Sequence, residues 1–461
     1  MKEFRPLDPA LVPPYVLDLL RALQGAGYRA VLVGGCVRDL ARGVEISDWD
    51  IGTSARPEAV QSLFPRTVPT GLKHGTVTVL TAHDPVEVTT FRVESGYSDA
   101  RRPDRVDFTD DLRADLERRD FTINAIAWDP IAEVEEDPFG GRSDLAAGIL
   151  RAVGDARDRF REDGLRPIRA ARFAATLEVE IVPETFDALG EAKEQVARVA
   201  AERIRDELVK MLRAREPSRG FEVLRRSGLL DVVLPELAAT IAVPQNRYHA
   251  YDVYFHTLYT CDAAPPEKAE VRLAALFHDV GKPATRAERP DGDATFYNHQ
   301  YESARLTEAA MTRLRFSGEM TERVVHLVRQ HMFDYRHEWS DAAVRRFLRT
   351  VRPENVADLF DLRIADNVGN GTKSGFPHYL GELTERIDAI LAAAHAFTIR
   401  DLAVDGKDVM RELRLPAGPA VGAFLERLLE EVIEHPERND RPYLLKRLRE
   451  GYAIDTKGPA A

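Results

Sequence analysis

The chain has 461 residues, of which 44% are hydrophobic and 30% charged, an ordinary globular balance and enough length for roughly two to four domains. Its formal net charge of −12 argues against sequence-blind coating of nucleic acid, which needs a broad excess of Lys and Arg. No apolar run approaches the roughly 20 residues that cross a bilayer, and Cys36 and Cys261 give no disulfide framework, so no membrane partner and a reducing cytoplasm are expected.

The opening MKEFRPLDPALVPP lacks the basic-then-apolar order of a signal peptide. YVLDLLRALQGAGY then reads as an amphipathic packing helix closed by Gly25 and Gly27. Val31, Leu32 and Val33 suit a short buried strand, Gly34 and Gly35 a tight turn, and CVRDLARG a helix whose N-terminus can face an anion. In Ser47-Asp48-Trp49-Asp50-Ile51, strand alternation sets Asp48 and Asp50 on one face, about 6–7 Å apart. Carboxylates that close repel unless a cation lies between them, and Mg²⁺ suits an all-oxygen site. A phosphate cradle beside such a pair is the equipment of phosphoryl or nucleotidyl transfer.

The order strand, Gly-Gly, helix, Asp-x-Asp resembles the polymerase-beta superfamily of nucleotidyltransferases in its GGxVRD…DxD form. That form belongs to the class II tRNA CCA-adding enzymes and their poly(A) polymerase relatives. The resemblance implies that Asp48 and Asp50 hold Mg²⁺ and that Gly34, Gly35, Arg38 and Asp39 line a triphosphate cradle.

A helix is expected from Arg56-Pro57-Glu58 to near Phe64, then a hairpin over residues 71–92 broken at His83-Asp84-Pro85. Glu87 is the candidate third carboxylate. Residues 96–112, basic at Arg101, Arg102 and Arg105, read as a loop able to serve as a lid. Arg118, Arg119 and Asp120 then lead what reads as an apolar helix, FTINAIAW. The Arg119 guanidinium can fork two phosphate oxygens. RRDFTINA resembles the family's second motif, which implies nucleotide contacts for Arg119, Asp120 and Asn124. A turn is expected at 137–141.

In REDGLRPIRAARF, Arg166, Arg169 and Arg172 fall at i, i+3 and i+6, a basic stripe that would ordinarily be a solvated face. The stretch resembles the family's EDxxRxxRxxRF motif, which implies that Asp163 and Arg166 hydrogen-bond the base edge of CTP or ATP, with Arg169 and Arg172 at the same nucleotide. A carboxylate that only accepts and a guanidinium that only donates make this feasible. Gly164 and Pro167 depart from the bulkier apolar residues expected there. Because Pro167 disfavours α geometry at Arg166, the helix is expected to start nearby with Asp163 as its N-cap. Residues 184–234 read as packing helices throughout.

His256, His278-Asp279, His299, His331 and Asp366 make a second constellation on expected helices. Imidazoles mixed with carboxylates suit Mn, Fe, Co, Ni or Zn. The order H…HD…H…H…D, with HDVGKP, resembles the HD phosphohydrolase superfamily. This implies His256, His278, Asp279 and Asp366 as metal ligands, His299 and His331 as holders of a second metal or a phosphate, and Lys282 as a phosphate neutraliser. The C-terminal stretch resembles the family's tRNA-contacting tail, its last ten residues or so reading as disordered.

The expected fold is α+β: a nucleotidyltransferase head with a small mixed sheet over residues 1–150, a helical neck to 240, an HD domain to 375 and a helical tail. The expected reaction adds CMP and AMP to a tRNA 3′ end. The alternatives are poly(A) or partial CC- or A-addition, a phosphohydrolase with an RNA-binding head, and a non-catalytic RNA-binding protein. Oligomeric state is not legible.

Overall fold

The computed structural model describes residues 5–95, 105–373, 376–393 and 397–455. Two units divide it, one of Met1–Ala239 with Ala309–Ser317 and one of Thr240–Glu308 with Gly318–Ala461.

The first unit carries β1 Ala30–Val33, β2 Asp50–Thr53, β3 Thr67–Gly71, β4 Thr76–Leu80, β5 Pro85–Thr90, β6 Arg92–Ser95, β7 Arg105–Phe108, β8 Ala127–Asp129 and β9 Val134–Glu136, besides a two-residue parallel pair of Ile149–Leu150 with Glu180–Ile181. Seven of them form one mixed sheet in the order β3-β4-β5-β2-β1-β8-β9. The β2–β5 pair is parallel and the other neighbours run antiparallel. β1 sits inside this sheet with all four residues buried, which explains its unbroken AVLV run. Alternation in PVEVTT buries Val86 and Val88 and turns Glu87 outward.

The helices of this unit are α1 Pro14–Gly25, α2 Gly35–Arg42, α3 Pro57–Leu63, α4 Leu112–Glu117, α5 Gly141–Ala147, α6 Ala156–Glu162, α7 Arg166–Thr176, α8 Pro183–Glu191, α9 Lys193–Ala197 and α10 Ala201–Leu212, followed by Ser218–Arg226, Leu230–Val233 and Pro235–Ala238. α1 buries Val16, Leu19, Leu20 and Leu23 in the same core as Leu32, Ile51 and Val88. Burying such side chains contributes about 1.5–3 kcal/mol each.

Four local expectations are corrected. The loop expected over 96–112 is in part a strand, since β7 pairs antiparallel with β6; Arg101 and Arg102 lie outside the described residues. FTINAIAW is not a helix: a single 3₁₀ turn at Thr122–Asn124 leads into β8, whose Trp128 and Ala127 pair with Leu32 and Val33. Pairing inside the sheet, between β1 and β9, thus overrides the helical reading of a short apolar run. The strand after Ser47 begins only at Asp50, so Asp48 precedes it. Asp163 is not the N-cap of α7; it ends α6, and Leu165 caps α7. Pro167 is tolerated because it stands in the first turn, where no intrahelical donor is needed. Gly164 is forced by close packing, for a Cβ there would lie 2.3 Å from the Gln195 carbonyl oxygen.

The second unit is helical apart from a short pair of strands, β10 Ala287–Glu288 and β11 Ala294–Thr295. The metal candidates lie on or beside helices Val253–Ala263, Ala269–Phe277, His299–Arg313, Gly318–Gln330 and Val356–Gly369. Toward the C-terminus, helices Gly406–Leu413, Pro419–Glu434 and Arg441–Asp455 close over Val409, Phe424, Leu428, Val432 and Leu444. Residues from 456 on lie outside those described. Among the described residues no helix is long and apolar enough to cross a membrane.

Candidate functional site

Gly34 adopts φ +75°, and its amide donates to the Ile126 carbonyl, which fixes the turn between β1 and α2. A Cβ on Gly34 would stand 2.5 Å from the Arg119 guanidinium, so only glycine lets that side chain lie across the turn. Arg119 also donates to the Asn124 carbonyl oxygen at 3.2 Å. Beside the turn, β2 and β5 place Asp50 and Glu87 directly opposite each other in parallel register. Burial pushes the Asp50 carboxyl up to about 6; Arg119 opposes that rise, and Glu87 and Asp48 add to it. Asp48 is exposed and accepts from the Ser47 hydroxyl at 2.8 Å.

The donors near Asp50 are all carboxylates, and their mutual repulsion calls for a cation, so the set fits a hard divalent ion. The triad is open, however. Among the described residues, the groups that bring three ligand atoms within 4.8 Å of one another lie in the second unit.

A chain of polar contacts runs from α2 to α7. Arg38 pairs with Asp39 at 2.7 Å and donates to the Asn124 side-chain carbonyl at 2.6 Å. The Asn124 amide donates to Asp120 at 3.0 Å, and Arg169 grips the other Asp120 oxygen at 2.7 Å. Burial alone would raise the Asp120 carboxyl, but Arg169 and Asn124 outweigh it and hold it well below the usual range. Arg172 pairs with buried Glu207 of α10 and lies 3.8 Å over the Phe173 ring. Arg169 and Arg172 are therefore not a solvated stripe; they face inward, paired with Asp120 and Glu207.

Arg38, Asp120, Asn124, Arg169, Arg172 and Phe173 line a cleft of about 530 Å³ that also takes in Asp50, Glu87, Asp163 and Arg166. Eight arginines and four carboxylates line it, a wall rich in guanidinium donors that suits phosphate oxygens. Asp163 and Arg166 share this cleft but are not paired. Asp163 is held by Arg203 of α10 at 3.1 and 2.7 Å. Arg166 is turned onto Glu162 and onto the Arg159 and Arg118 carbonyls. Sequence reasoning missed Arg203 and Glu207, whose only signal was their i, i+4 spacing on an amphipathic helix.

The second unit gathers all the residues expected of it. His256 Nε2 stands 3.2 Å from His278 Nε2, 3.3 Å from Asp279 Oδ2 and 3.2 Å from Asp366 Oδ1. His299 Nε2 stands 3.2 Å from both His331 Nε2 and Asp279 Oδ1. Asp279 thus turns one oxygen to each half of the cluster. Two bonds of about 2.1 Å to one metal, at angles between octahedral and tetrahedral, set their ligand atoms about 3.0–3.4 Å apart, so the spacing fits.

The ring nitrogens fit too. His278, His299 and His331 each direct Nδ1 at a backbone carbonyl 2.6–2.8 Å away, of Ala275, Phe296 and Val328 respectively. With that nitrogen donating, Nε2 keeps its lone pair for a metal. Burial and the neighbouring His278 and His299 rings hold the pKa of His331 well below the usual imidazole value, so it stays neutral. Burial opposes charge on His256, but the carboxylates of Asp279 and Asp366 prevail and raise its pKa to about 9. The cluster therefore demands positive charge at its centre.

Lys282 bridges Asp279 Oδ2 and Gln245 Oε1, each at 2.6 Å. Two further residues went unnoticed in the sequence. His249 stands edge-on to His256, and burial followed by Lys282 pushes its pKa down to about 3. Arg363 pairs with Asp366 and donates to the His331 and Phe333 carbonyls.

Comparisons with known proteins agree with this division. Three family models match: the poly A polymerase head domain over residues 30–151, a probable RNA and SrmB-binding site of polymerase A over 178–241, and the HD domain over 246–371. The CCA-adding enzyme of Lactobacillus johnsonii is 47% identical over 217 residues, so that match spans 47% of this chain and 54% of that enzyme. The CCA-adding enzyme of Lactiplantibacillus plantarum is 34% identical over 93% of both chains. The Bacillus stearothermophilus CCA-adding enzyme, solved in complex with CTP, is 29% identical over 97% of this chain and all of that one, with a TM-score of 0.74. A Thermotoga maritima CCA-adding enzyme, solved with tRNA, shares the fold at 19% identity and a TM-score of 0.56, over 98% of this chain and all of that one. With 34% identity to one such enzyme carried over 93% of both chains, and the fold shared along nearly the whole length, the chain belongs to the family of CCA-adding enzymes.

Proposed function

We propose that this chain transfers CMP and AMP from CTP and ATP to the 3′-hydroxyl of tRNA, releasing pyrophosphate. The observation that carries this reading is the Asp50–Glu87 register beside a glycine turn crossed by Arg119, in a cleft whose other residues include Asp163 and Arg166. Asp48 and Asp50 with Glu87 would hold Mg²⁺, which when bound would acidify the attacking hydroxyl and neutralise the leaving pyrophosphate. Arg119 and Arg38 grip the triphosphate against Gly34 and Gly35. Asp120 and Asn124 keep Arg169 and Arg38 in place for the nucleotide, and Arg172 backs Phe173 as a flat wall. Asp163 and Arg166 read the base edge, with Arg203 setting the direction of Asp163.

The head extends to residue 150 and the base-reading neck from 151 to 240; residues 376–461 are the tRNA-contacting tail. Work of this kind is done in the cytoplasm. tRNA lacking its 3′ CCA, incubated with each labelled nucleotide in turn, tests the reading; labelling by ATP alone over long stretches would make the chain a poly(A) polymerase instead.

The domain of residues 241–375 is a metal-dependent phosphohydrolase on this reading, the metal being one of Mn, Fe, Co, Ni or Zn. His256, His278, Asp279 and Asp366 hold it, His299 and His331 a second metal or the phosphate. Lys282, 2.6 Å from Asp279, would neutralise a bound phosphate.

A further inference from the structure

The cavity over the histidine cluster has a volume of about 310 Å³ and changes character from floor to rim. The floor is His278, Asp279, His299, His331 and Asp366, with Lys282 and Arg363 beside them. The rim carries Tyr248 and Tyr297, whose residues are 62% and 73% exposed. Such rings are normally half covered, because exposing their faces forgoes much of their burial energy.

Both tyrosines make contacts at the rim. Tyr297 stands two residues from His299, across Asn298, which adopts φ +64°, so one tight bend presents both the ring and the metal candidate. Arg289, just past β10, donates to the Tyr297 hydroxyl at 3.4 Å. The Tyr248 carbonyl accepts from the Thr372 hydroxyl at 2.7 Å, and the Arg247 guanidinium lies 5.7 Å from the Tyr248 ring centre. Lys373 completes the wall.

Resting on the phosphohydrolase reading above, we propose that Tyr248 and Tyr297 form a nucleoside-base subsite, making the HD site selective for a phosphate carried on a nucleotide. A metal and cation floor takes a phosphate of any origin. Exposed aromatic faces at the mouth add stacking, which every base accepts and a small alkyl phosphate lacks. The volume is at the small end for a ligand pocket and suits one terminal nucleotide.

The test compares wild type with Tyr248→Ala, Tyr297→Ala and Tyr297→Phe, using full-length protein and Mn²⁺. The substrates are adenosine 3′-monophosphate and glycerol 2-phosphate, two phosphomonoesters of which only one has a base. Each alanine variant is expected to raise KM for the nucleotide about tenfold, while KM for glycerol 2-phosphate and both kcat values stay within about twofold. Tyr297→Phe, which keeps the ring, should behave as wild type. Equal losses on both substrates, or none, overturn the proposal.

A second readout does not need turnover. The fluorescence of 2-aminopurine riboside 3′-monophosphate should be quenched on binding, and the alanine variants should lose that quench. If wild type hydrolyses neither ester, the phosphohydrolase reading fails, and the quench alone decides the subsite; a quench unchanged in both alanine variants contradicts it.

Discussion

Arg203 grips both carboxylate oxygens of Asp163, at 3.1 and 2.7 Å, and so ties α10 to the segment between α6 and α7. A forked guanidinium fixes the plane of a carboxylate as a single donor cannot. Arg203→Lys keeps the charge and loses the fork. It should lower selectivity for CTP and ATP over UTP and GTP about tenfold while tRNA affinity is unchanged, read from kcat/KM for each nucleotide. Unchanged selectivity would show that Asp163 needs no such partner.

Arg166→Ala removes five donors from the nucleotide cleft. Hydrogen bonds to a charged group contribute about 1.5–3 kcal/mol, so discrimination among nucleotides should fall about tenfold to a hundredfold. Folding should hold, because Glu162 can turn to Arg159, its other partner. Competition between CTP and UTP for one primer checks this.

Asp50→Ala should abolish nucleotide addition and leave tRNA binding nearly intact. Losing one of three carboxylates removes repulsion from the empty site, so the variant's melting temperature should equal or exceed that of wild type without metal. Thermal unfolding with and without Mg²⁺ measures both effects, and addition at the wild-type rate would contradict the assignment.

Asp120 makes stability depend on acid. Its carboxyl is held below the usual range in the folded chain, so its contribution is fully present above the unfolded value, about 3.9, and fades as pH falls from there through the folded value. Asp120→Asn should cost about 2–3 kcal/mol at neutral pH, and the difference from wild type should shrink steadily below about pH 4. Urea unfolding across that range tests the sign.

His278→Ala combined with Asp279→Ala should remove phosphohydrolase activity and spare nucleotide addition, because the carboxylates at Asp48, Asp50 and Glu87 are untouched. Loss of both activities from a folded variant would mean that the two sites are coupled.

What could be read from sequence was chemistry with local punctuation. Gly34-Gly35 follows an apolar run, and HDVGKP sets two metal candidates side by side, so each site was visible as a short string. Register across the sheet was less so: Glu87 was a guess until β5 paired with β2 and set it against Asp50. FTINAIAW misled because a 3₁₀ turn followed by a buried strand carries no periodicity to distinguish it from a short helix. Arg203 and Glu207 were invisible for the opposite reason. Charged residues on an amphipathic helix read as solvated, and their partners lie 40 and 35 residues away in sequence.

The central claim is tested most directly by the mass of the product. A tRNA transcript trimmed of its 3′ CCA, given CTP and ATP together with Mg²⁺, should gain two cytidylates and one adenylate and then stop. With CTP alone it should gain two cytidylates, and with Asp50→Ala nothing. A growing ladder of adenylates, or no gain in mass from folded wild-type protein that binds the tRNA, would contradict it.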